Sequence, residues 1–404
     1  MRLTTIAQFS LAIIPAIARP SVTSDKDLYT QAGSHVIFSY PGLTPPDELL
    51  DLTKQGQVGG VILFGENVDE NIRDVVKLFQ SVYAEGPAYS GKPLLIMTDQ
   101  EGGNVRRLPG GPEETAKKIG QSARPVLGGA KAGATAASVL KGANVNCNLA
   151  PVLDIYRTPD NFSISKVGLS GCSTAFIAAQ QSVGVIATAK HFPGLGPAGN
   201  ENTDLQPVTI DTPLKELRAI DELPYMSAIA AGVDIVMASW AIYPALDVKR
   251  PAGMSKAWIQ GELRKRLGFK GVTITDAIEA GGLKAFGDDA ERGLLASQAG
   301  MDLLLASGRN ITQGRVVVDA LVQSLKDGSL PIKELMKQRK ESTSCAASLL
   351  SDVWPSASGR KLYHGQALLR SFAPSLYASC LPHTSAHKTA PAESLAAGRS
   401  FPFW

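Results

Sequence analysis

Three stretches of the sequence place a charged side chain directly after a run of apolar residues. In the first, TDQEGGNVRRLP (98–109), Asp99 precedes two glycines and Arg107 follows them. An aspartate can accept hydrogen bonds from paired hydroxyl groups, and an arginine can donate a fork of hydrogen bonds to the same ring or to a carboxylate. The spacing predicts either a site for a polyhydroxylated ring or an Asp–Arg ion pair that only shapes the loop.

The second stretch, AKHFPGLGPAGNENTD (189–204), sets Lys190 beside His191 at the end of an apolar run. Consecutive side chains on a strand point to opposite faces, but Pro193 and Gly194 bend the backbone directly afterwards. We therefore expect both side chains to face one pocket and to offer polar contacts to hydroxyl groups. A histidine with a purely structural hydrogen bond is the competing interpretation.

The third stretch, KGVTITDAIEAGG (270–282), ends a β-branched run with Asp276. A carboxylate at such a strand end suits nucleophilic attack on an anomeric carbon. Capping of the following helix is the alternative, because Asp is a favoured N-cap residue.

These stretches belong to a series of eight short apolar runs that are typical of strands buried on both faces. Helix-like segments separate several of the runs, including residues 69–85 and residues 255–268, where Ser255 is a candidate N-cap and Gly268 a candidate C-cap. The alternation predicts an α/β fold, a (β/α)8 TIM-type barrel. An open doubly wound sheet is the second choice, which the lack of a Gly-rich dinucleotide fingerprint after the first run disfavours. The runs are HVIFSY (35–40), GGVILFG (59–65), PLLIMTD (93–99), NVNCNLAPVLD (144–154), GVIATAKHF (184–192), DIVMASW (234–240), GVTITDA (271–277) and DLLLAS (302–307).

Charged residues end four of the predicted strands: Asp99 the third, Asp154 the fourth, Lys190 and His191 the fifth, and Asp276 the seventh. In a (β/α)8 barrel the functional residues lie at the C-terminal ends of the strands. We therefore expect these side chains to meet at one mouth of the barrel.

The 404-residue chain has a net charge of +3 with both signs intermixed, which gives no indication of a nucleic-acid partner. Residues 1–19 have the pattern of a secretory signal peptide. No other run approaches the roughly 20 apolar residues of a membrane span, so we expect a soluble, secreted protein with no membrane partner. Residues 28–350 are assigned to the barrel domain, and residues 351–404, rich in Ser, Ala and Pro, to an irregular or disordered tail.

Cysteine and histidine spacing gives no indication of a metal site. Cys147, Cys172, Cys345 and Cys380 lack metal-ligand spacing, and no paired-histidine motif or phosphate-cradling loop is visible. No metal or other cofactor is therefore expected. Export would permit disulfides, but the sequence does not select a pairing, and Cys147 is expected to be a core residue of a strand. The oligomeric state is not indicated.

Four motifs together resemble glycoside hydrolase family 3, specifically its single-barrel β-N-acetylhexosaminidase-like branch. They are DQEGGxVxR (99–107), NLAPVLD (148–154), KHFPGxG (190–196) and VTITDA (272–277), and the similarity spans roughly residues 30–330. The resemblance implies a retaining mechanism with Asp276 as the nucleophile that forms a glycosyl-enzyme. It implies sugar-binding roles for Asp99, Arg107, Lys190 and His191.

The acid/base residue departs from the family pattern, in which a histidine occupies the third position of PGHG and a downstream Asp-Ser-His supplies the catalytic histidine. Here Leu195 stands in that third position, and residues 200–204 contain no histidine. A sub-branch with PGLG and an Asn-Thr-Asp ending is more similar to this chain. Asp204 is therefore the first candidate for the acid/base and Glu201 the second, and either would need a raised pKa.

A second departure is a shortened 155–183 region, where residues 161–179 lack the family's arginine. We expect part of the pocket wall, and a helix, to be missing there. The resemblance implies an exo-acting β-N-acetylglucosaminidase with an oligosaccharide substrate. A β-glucosidase or β-xylosidase is one alternative, disfavoured because the tail is too short for the second domain that most of those enzymes carry. A catalytically impaired sugar-binding homologue is the other.

Overall fold

Ten strands, in two sheets, are present in the computed structural model, which describes residues 24–156 and 166–330. The strands are β1 (Val36–Phe38), β2 (Gly60–Ile62), β3 (Leu95–Thr98), β4 (Gln100–Gly102), β5 (Val105–Arg106), β6 (Cys147–Asn148), β7 (Ile186–Phe192), β8 (Ile235–Ala238), β9 (Val272–Ala277) and β10 (Leu303–Leu305). Eight of them form a closed barrel in the order β1-β10-β9-β8-β7-β6-β3-β2, and β4 and β5 form a separate antiparallel pair. The predicted (β/α)8 barrel is confirmed, and the open sheet is excluded because β1 pairs with both β2 and β10.

Helices surround the barrel. They are α1 (Asp25–Gly33), α2 (Asp47–Lys54), α3 (Ile72–Ala84), α4 (Ala116–Gly120), α5 (Pro125–Gly142), α6 (Lys166–Gln181), α7 (Leu214–Ala219), α8 (Leu223–Ala230), α9 (Asp289–Ala299) and α10 (Ile311–Asp327). Short 3₁₀ turns cover Gly65–Asn67, Gly196–Ala198, Ala252–Met254 and Gly281–Phe286, and residues Ala257–Arg266 form a π-helix.

The barrel strands are largely apolar because both of their faces are buried. Side chains such as Ile37, Met97 and Ile274 fill the barrel interior, whereas neighbours such as Phe38 and Ile96 pack outward against the helices. This two-sided burial explains why the strands appear in the sequence as continuous apolar runs.

Several local predictions differ from the structure. The fourth barrel strand, Cys147–Asn148, is shorter than the predicted run of residues 144–154. Beyond it, Val152 forms an isolated parallel bridge with Lys190. Ser255 is not the N-cap of the next helix, since its hydroxyl is buried without a hydrogen-bond partner. Gly268 does follow the helix end, with φ +74°.

The region after β6 contains a helix that we expected to be missing. Helix α6 (Lys166–Gln181) follows β6 in the chain and packs against α5, where Gly129 and Gly133 approach the backbone of Cys172 and Phe176. The expectation of a missing helix was wrong because the segment, although short, still holds the 16 residues of α6. Residues 157–165 lie outside the described part of the chain.

Other predictions also lie outside the described residues, namely the signal peptide 1–19, the tail 351–404 and the barrel-domain end at 350. The first described helix, Asp25–Gly33, begins ahead of residue 28, the predicted start of that domain. Within residues 24–156 and 166–330, no helix combines the length and apolarity needed to cross a membrane. Cys147 is a buried residue of β6, as expected, and both Cys147 and Cys172 are free thiols.

Candidate active site

The charged residues that end barrel strands meet at one mouth of the barrel. Asp99 directly follows β3, Lys190 and His191 lie in β7, and Asp276 lies in β9. Asp154 joins them from the segment after β6. The parallel strands bring side chains from positions up to 177 residues apart, Asp99 to Asp276, into one polar cluster.

Lys190 is the buried centre of one half of this cluster. Its ammonium group donates to Asp99 Oδ1 at 2.9 Å and lies 2.6 Å from Glu101 Oε1, with only 6% of the side chain exposed. Burial lowers the pKa of Lys190, but the charges of Asp99 and Glu101 outweigh it and raise the pKa overall. Lys190 is therefore a permanent cation held between two carboxylates.

Arg107 adds a second cation beside Asp99. Its Nε lies 3.7 Å from Asp99 Oδ2, and its backbone N–H donates to the Asp99 carbonyl at 3.1 Å. Burial raises the pKa of Asp99, but Lys190 and Arg107 outweigh it, so the pKa falls below its ordinary value. The predicted Asp–Arg ion pair is present, and the Arg107 side chain, 35% exposed, still faces solvent at the mouth.

The loop that presents Arg107 is fixed by a glutamine inside it. The Gln100 amide donates to the carbonyl oxygens of Leu108 and Gly111, and its oxygen accepts the Leu108 N–H. Gln100 is fully buried. The DQEGG segment therefore folds back as the β4–β5 hairpin and returns Arg107 to the Asp99 that precedes it.

His191 is oriented by Asp154. Its Nδ1 lies 2.8 Å from Asp154 Oδ2, and because an ionised carboxylate only accepts hydrogen bonds, Nδ1 carries the proton. The other ring nitrogen, Nε2, lies 3.8 Å from Asp276 Oδ2. Burial lowers the pKa of His191, but the charge and hydrogen bond of Asp154 outweigh it and raise the pKa.

Asp154 also holds the Pro-Gly turn that follows His191. Its Oδ1 accepts the backbone N–H groups of His191, at 3.1 Å, and Leu195, at 2.7 Å. Gly194 has φ +126°, and a Cβ there would lie 2.7 Å from Cβ of Asp221, so this turn requires glycine. The Lys190–His191 peptide is cis, and the Lys190 and His191 side chains contact the acidic residues Asp99 and Asp154.

Asp276 does not cap a helix. The N-cap of the following 3₁₀ turn is Ala280, and that of α9 is Asp288. The Asp276 Oδ1 accepts the N–H of Ala277 at 2.8 Å, and the Ala277 carbonyl accepts the indole N–H of Trp240 at 2.8 Å. The carboxylate is thus held at the mouth with its Oδ2 directed to His191.

The two acid/base candidates differ in their surroundings. The pKa of Asp204 is raised, first by partial burial of its carboxyl group and then by the charge of Asp276. The residue as a whole is exposed, so solvent moderates this rise. The Asp204 carbonyl accepts the Gly281 N–H at 2.7 Å, which ties its turn to the segment after β9. Glu201 is exposed one turn earlier, and its N–H donates to Ala198 within its own loop. The turn of Asp204 is therefore bonded to the segment that follows Asp276, whereas the backbone bond of Glu201 stays within its own loop.

Sequence reasoning did not assign three residues of the cluster. Asp154 was noted only as a strand end, although NLAPVLD ends on it, and Glu101 stands inside DQEGG without a role. Trp240 gave no signal beyond ending an apolar run. Within the described part of the chain, no group of three or more His, Cys, Asp and Glu side chains is arranged to hold a metal ion.

Comparisons with known proteins point to one family. The family model described as the glycosyl hydrolase family 3 N terminal domain matches residues 34–343. A protein of Arthroderma benhamiae, described as an uncharacterized secreted glycosyl hydrolase, is 52% identical over 350 residues, covering 84% of this chain and 97% of the relative. A Beta-hexosaminidase of Tolumonas auensis is 32% identical over 269 residues, covering 63% of this chain and 77% of that protein.

A solved structure is similar over most of the barrel. The glycoside hydrolase family 3 β-N-acetylglucosaminidase from a Paenibacillus species superposes with a TM-score of 0.75 at 29% identity, covering 85% of this chain. This chain spans 66% of the length of that protein. The family model covers well over half of the sequence, and the barrel agrees with it. The chain therefore belongs to glycosyl hydrolase family 3 and is a hydrolase of O-glycosyl compounds.

Proposed function

We propose that this protein is an exported, retaining exo-β-glycosidase that removes terminal N-acetylglucosamine from oligosaccharides, with Asp276 as its nucleophile. The observation that carries the proposal is the approach of Asp276 Oδ2 to His191 Nε2, at 3.8 Å, beside the Lys190–Asp99 pair. The names of the bacterial relative and of the solved structure support the sugar, and the name of the fungal relative supports export.

In the first chemical step, an oxygen of Asp276 forms a bond to the anomeric carbon while the bond to the leaving-group oxygen breaks. Asp204 gives its proton to that departing oxygen. The raised pKa of Asp204 favours the protonated form that this step needs. The result is a glycosyl ester of Asp276 and a free alcohol.

In the second step, water attacks the anomeric carbon and the ester bond to Asp276 breaks. Asp204, now a carboxylate, takes the proton from that water, so each group returns to its starting state. Two inversions at one carbon retain the β configuration of the product.

Four fixed residues would bind the sugar ring through this cycle. Asp99 accepts from hydroxyl groups, while Arg107 and Lys190 donate to them. His191 donates through Nε2 in its protonated form, which its raised pKa favours. Because Lys190 and His191 are already held by carboxylates, at 2.9 and 2.8 Å, they need little reorganisation when charge develops on the ring. Glu201 is the second candidate for the acid/base role.

The test measures how fast the full-length protein hydrolyses three chromogenic aryl β-glycosides, those of N-acetylglucosamine, glucose and xylose. We expect turnover of the N-acetylglucosaminide only, and a loss of about 10⁴-fold or more in kcat for Asp276→Asn. An activated 5-fluoro-N-acetylglucosaminyl donor should label Asp276, as read by peptide mapping.

The matched control is Asp211→Asn, which changes an exposed aspartate outside the cluster and should keep full activity. If the protein hydrolyses the glucoside or the xyloside instead, N-acetylglucosamine is not the sugar that it removes. Binding of N-acetylglucosamine with no turnover, unchanged by Asp276→Asn, would make the chain a sugar-binding homologue. Label on another carboxylate would overturn the assignment of Asp276 as the nucleophile.

A further inference from the structure

The turn that carries Asp204 is compact and internally hydrogen-bonded. The Asn202 side chain accepts the Asp204 N–H at 2.8 Å, and the Asn202 carbonyl accepts the N–H groups of Leu205 and Gln206, both at 3.1 Å. The backbone of residues 202–206 therefore has a defined shape, but these bonds alone do not fix the turn relative to the barrel.

Two backbone hydrogen bonds attach this turn to the segment after β9. Gly281 N–H donates to the Asp204 carbonyl at 2.7 Å, and Gly282 N–H donates to the Thr203 carbonyl at 2.8 Å. Both glycines begin the 3₁₀ turn Gly281–Phe286, whose first N–H groups have no partner within that turn. The 3₁₀ turn that follows the strand of Asp276 thus holds the turn that carries Asp204.

Only glycine fits at these two positions. A Cβ on Gly281 would lie 2.3 Å from the carbonyl oxygen of Leu205, and one on Gly282 would lie 2.8 Å from that of Thr203. Both neighbours are backbone atoms, so no side-chain rotation can relieve the contact. Neither glycine is among the positive-φ residues of the described chain, so the requirement here is space and not backbone conformation.

A second attachment fixes the other end of the same loop. Thr209 forms a parallel bridge with Ile242, in the segment after β8. The Ile242 N–H donates to the Val208 carbonyl, and the Ile242 carbonyl accepts the Ile210 N–H, both at 2.9 Å. The loop after β7 is therefore held between the loops that follow β8 and β9.

We propose that Gly281 and Gly282 are positioning residues for the acid/base: they dock the 202–206 turn so that the Asp204 carboxylate stays beside Asp276. This inference rests on the proposed role of Asp204. It implies that the acid is in place before substrate arrives and that it loses its position when a side chain is added at residue 281 or 282.

Gly281→Ala tests the inference through leaving-group dependence. A poor leaving group needs the proton from the acid, whereas 2,4-dinitrophenolate departs without it. We expect kcat/KM for an unactivated disaccharide of N-acetylglucosamine to fall about 100-fold, the lower end of general-acid contributions. The value for the dinitrophenyl N-acetylglucosaminide should fall less than about 5-fold, since its bond breaking gains little from an acid.

Azide gives a second readout that a purely structural defect would not produce. Because azide attacks the glycosyl-enzyme without needing a base, it should raise the dinitrophenyl turnover of Gly281→Ala and yield the β-glycosyl azide. The wild type should not respond. Gly142→Ala is the matched control, since its Cβ would meet no atom within 4 Å at the end of α5, and it should behave as wild type.

The outcomes separate this inference from the proposed function. Equal losses on both substrates, or no loss on either, would overturn the positioning role while Asp276 labelling still stood. If Gly281→Ala fails to fold, Gly282→Ala takes its place under the same two readouts. Absence of fluorosugar label on Asp276 in the wild type would instead remove the proposed function itself.

Discussion

Replacing Lys190 by methionine should destabilise the protein far more than removing a surface lysine. Met fills a similar volume but leaves Asp99 and Glu101, which Lys190 contacts at 2.9 and 2.6 Å, without their cation. Breaking a buried ion pair by removing one partner costs about 3–5 kcal/mol, because a buried charge is left uncompensated. Arg107, at 3.7 Å from Asp99, still compensates part of the Asp99 charge. We therefore expect the free energy of unfolding to fall by about 3 kcal/mol.

The control is Lys118→Met. Lys118 pairs with Glu114 at 2.7 Å on the surface of α4, with 72% of the lysine side chain exposed. A surface pair of this spacing contributes about 0.3–0.5 kcal/mol. Urea unfolding of both variants at pH 7 should therefore separate them by more than about 2 kcal/mol in the free energy of unfolding.

The dependence on pH follows from the lowered pKa of Asp99. In the wild type, the folded pKa lies below the unfolded value of about 3.9, so the stabilisation is present above that pH and is lost as pH falls through the folded pKa. Without Lys190, burial should raise the pKa of Asp99, so its protonation as the pH falls relieves part of the penalty. The difference between Lys190→Met and wild type should shrink as pH falls from 7 to about 4.

Two results would refute this reasoning. Equal losses of stability for Lys190→Met and Lys118→Met at pH 7 would show that burial does not set the magnitude. A destabilisation by Lys190→Met that does not change with pH would show that uncompensated carboxylates are not its cause. Adding Glu101→Gln to Lys190→Met should recover part of the stability, because one buried unpaired charge is then removed.

Two further predictions concern other buried carboxylates. Asp154→Asn removes the charge that raises the pKa of His191, so an NMR titration should find that pKa lowered, and kcat/KM should fall about 10- to 100-fold as the ring loses its orienting partner. An unchanged His191 titration would contradict it. Burial raises the pKa of Asp234 to about 7, so the folded protein binds an extra proton and loses stability as pH rises toward 7. Asp234→Asn, which keeps an acceptor for the Ala187 N–H, should flatten this slope in urea unfolding between pH 5 and 8, whereas an unaltered slope would exclude Asp234 as its source.

The sequence predicted the barrel because its strands are buried on both faces. Two-sided burial leaves a largely apolar run of residues, so all eight barrel strands were located from local composition alone. The ends of those runs also predicted that Asp99, Lys190, His191 and Asp276 would meet, since parallel strands in a barrel bring their C-terminal ends together. These inferences required only the pattern along the chain and one general rule of topology.

The contacts between the loops could be learned only from the tertiary structure. Asp154 orients His191 across 37 residues, and Gly281 holds the turn of Asp204 across 77, so neither partner leaves a local pattern. The sequence does not choose between Asp204 and Glu201 for the same reason, since both are acidic residues of one irregular loop. A strand is recognisable because its burial repeats along the chain, whereas the position of a loop carboxylate depends on which distant backbone groups its turn can approach.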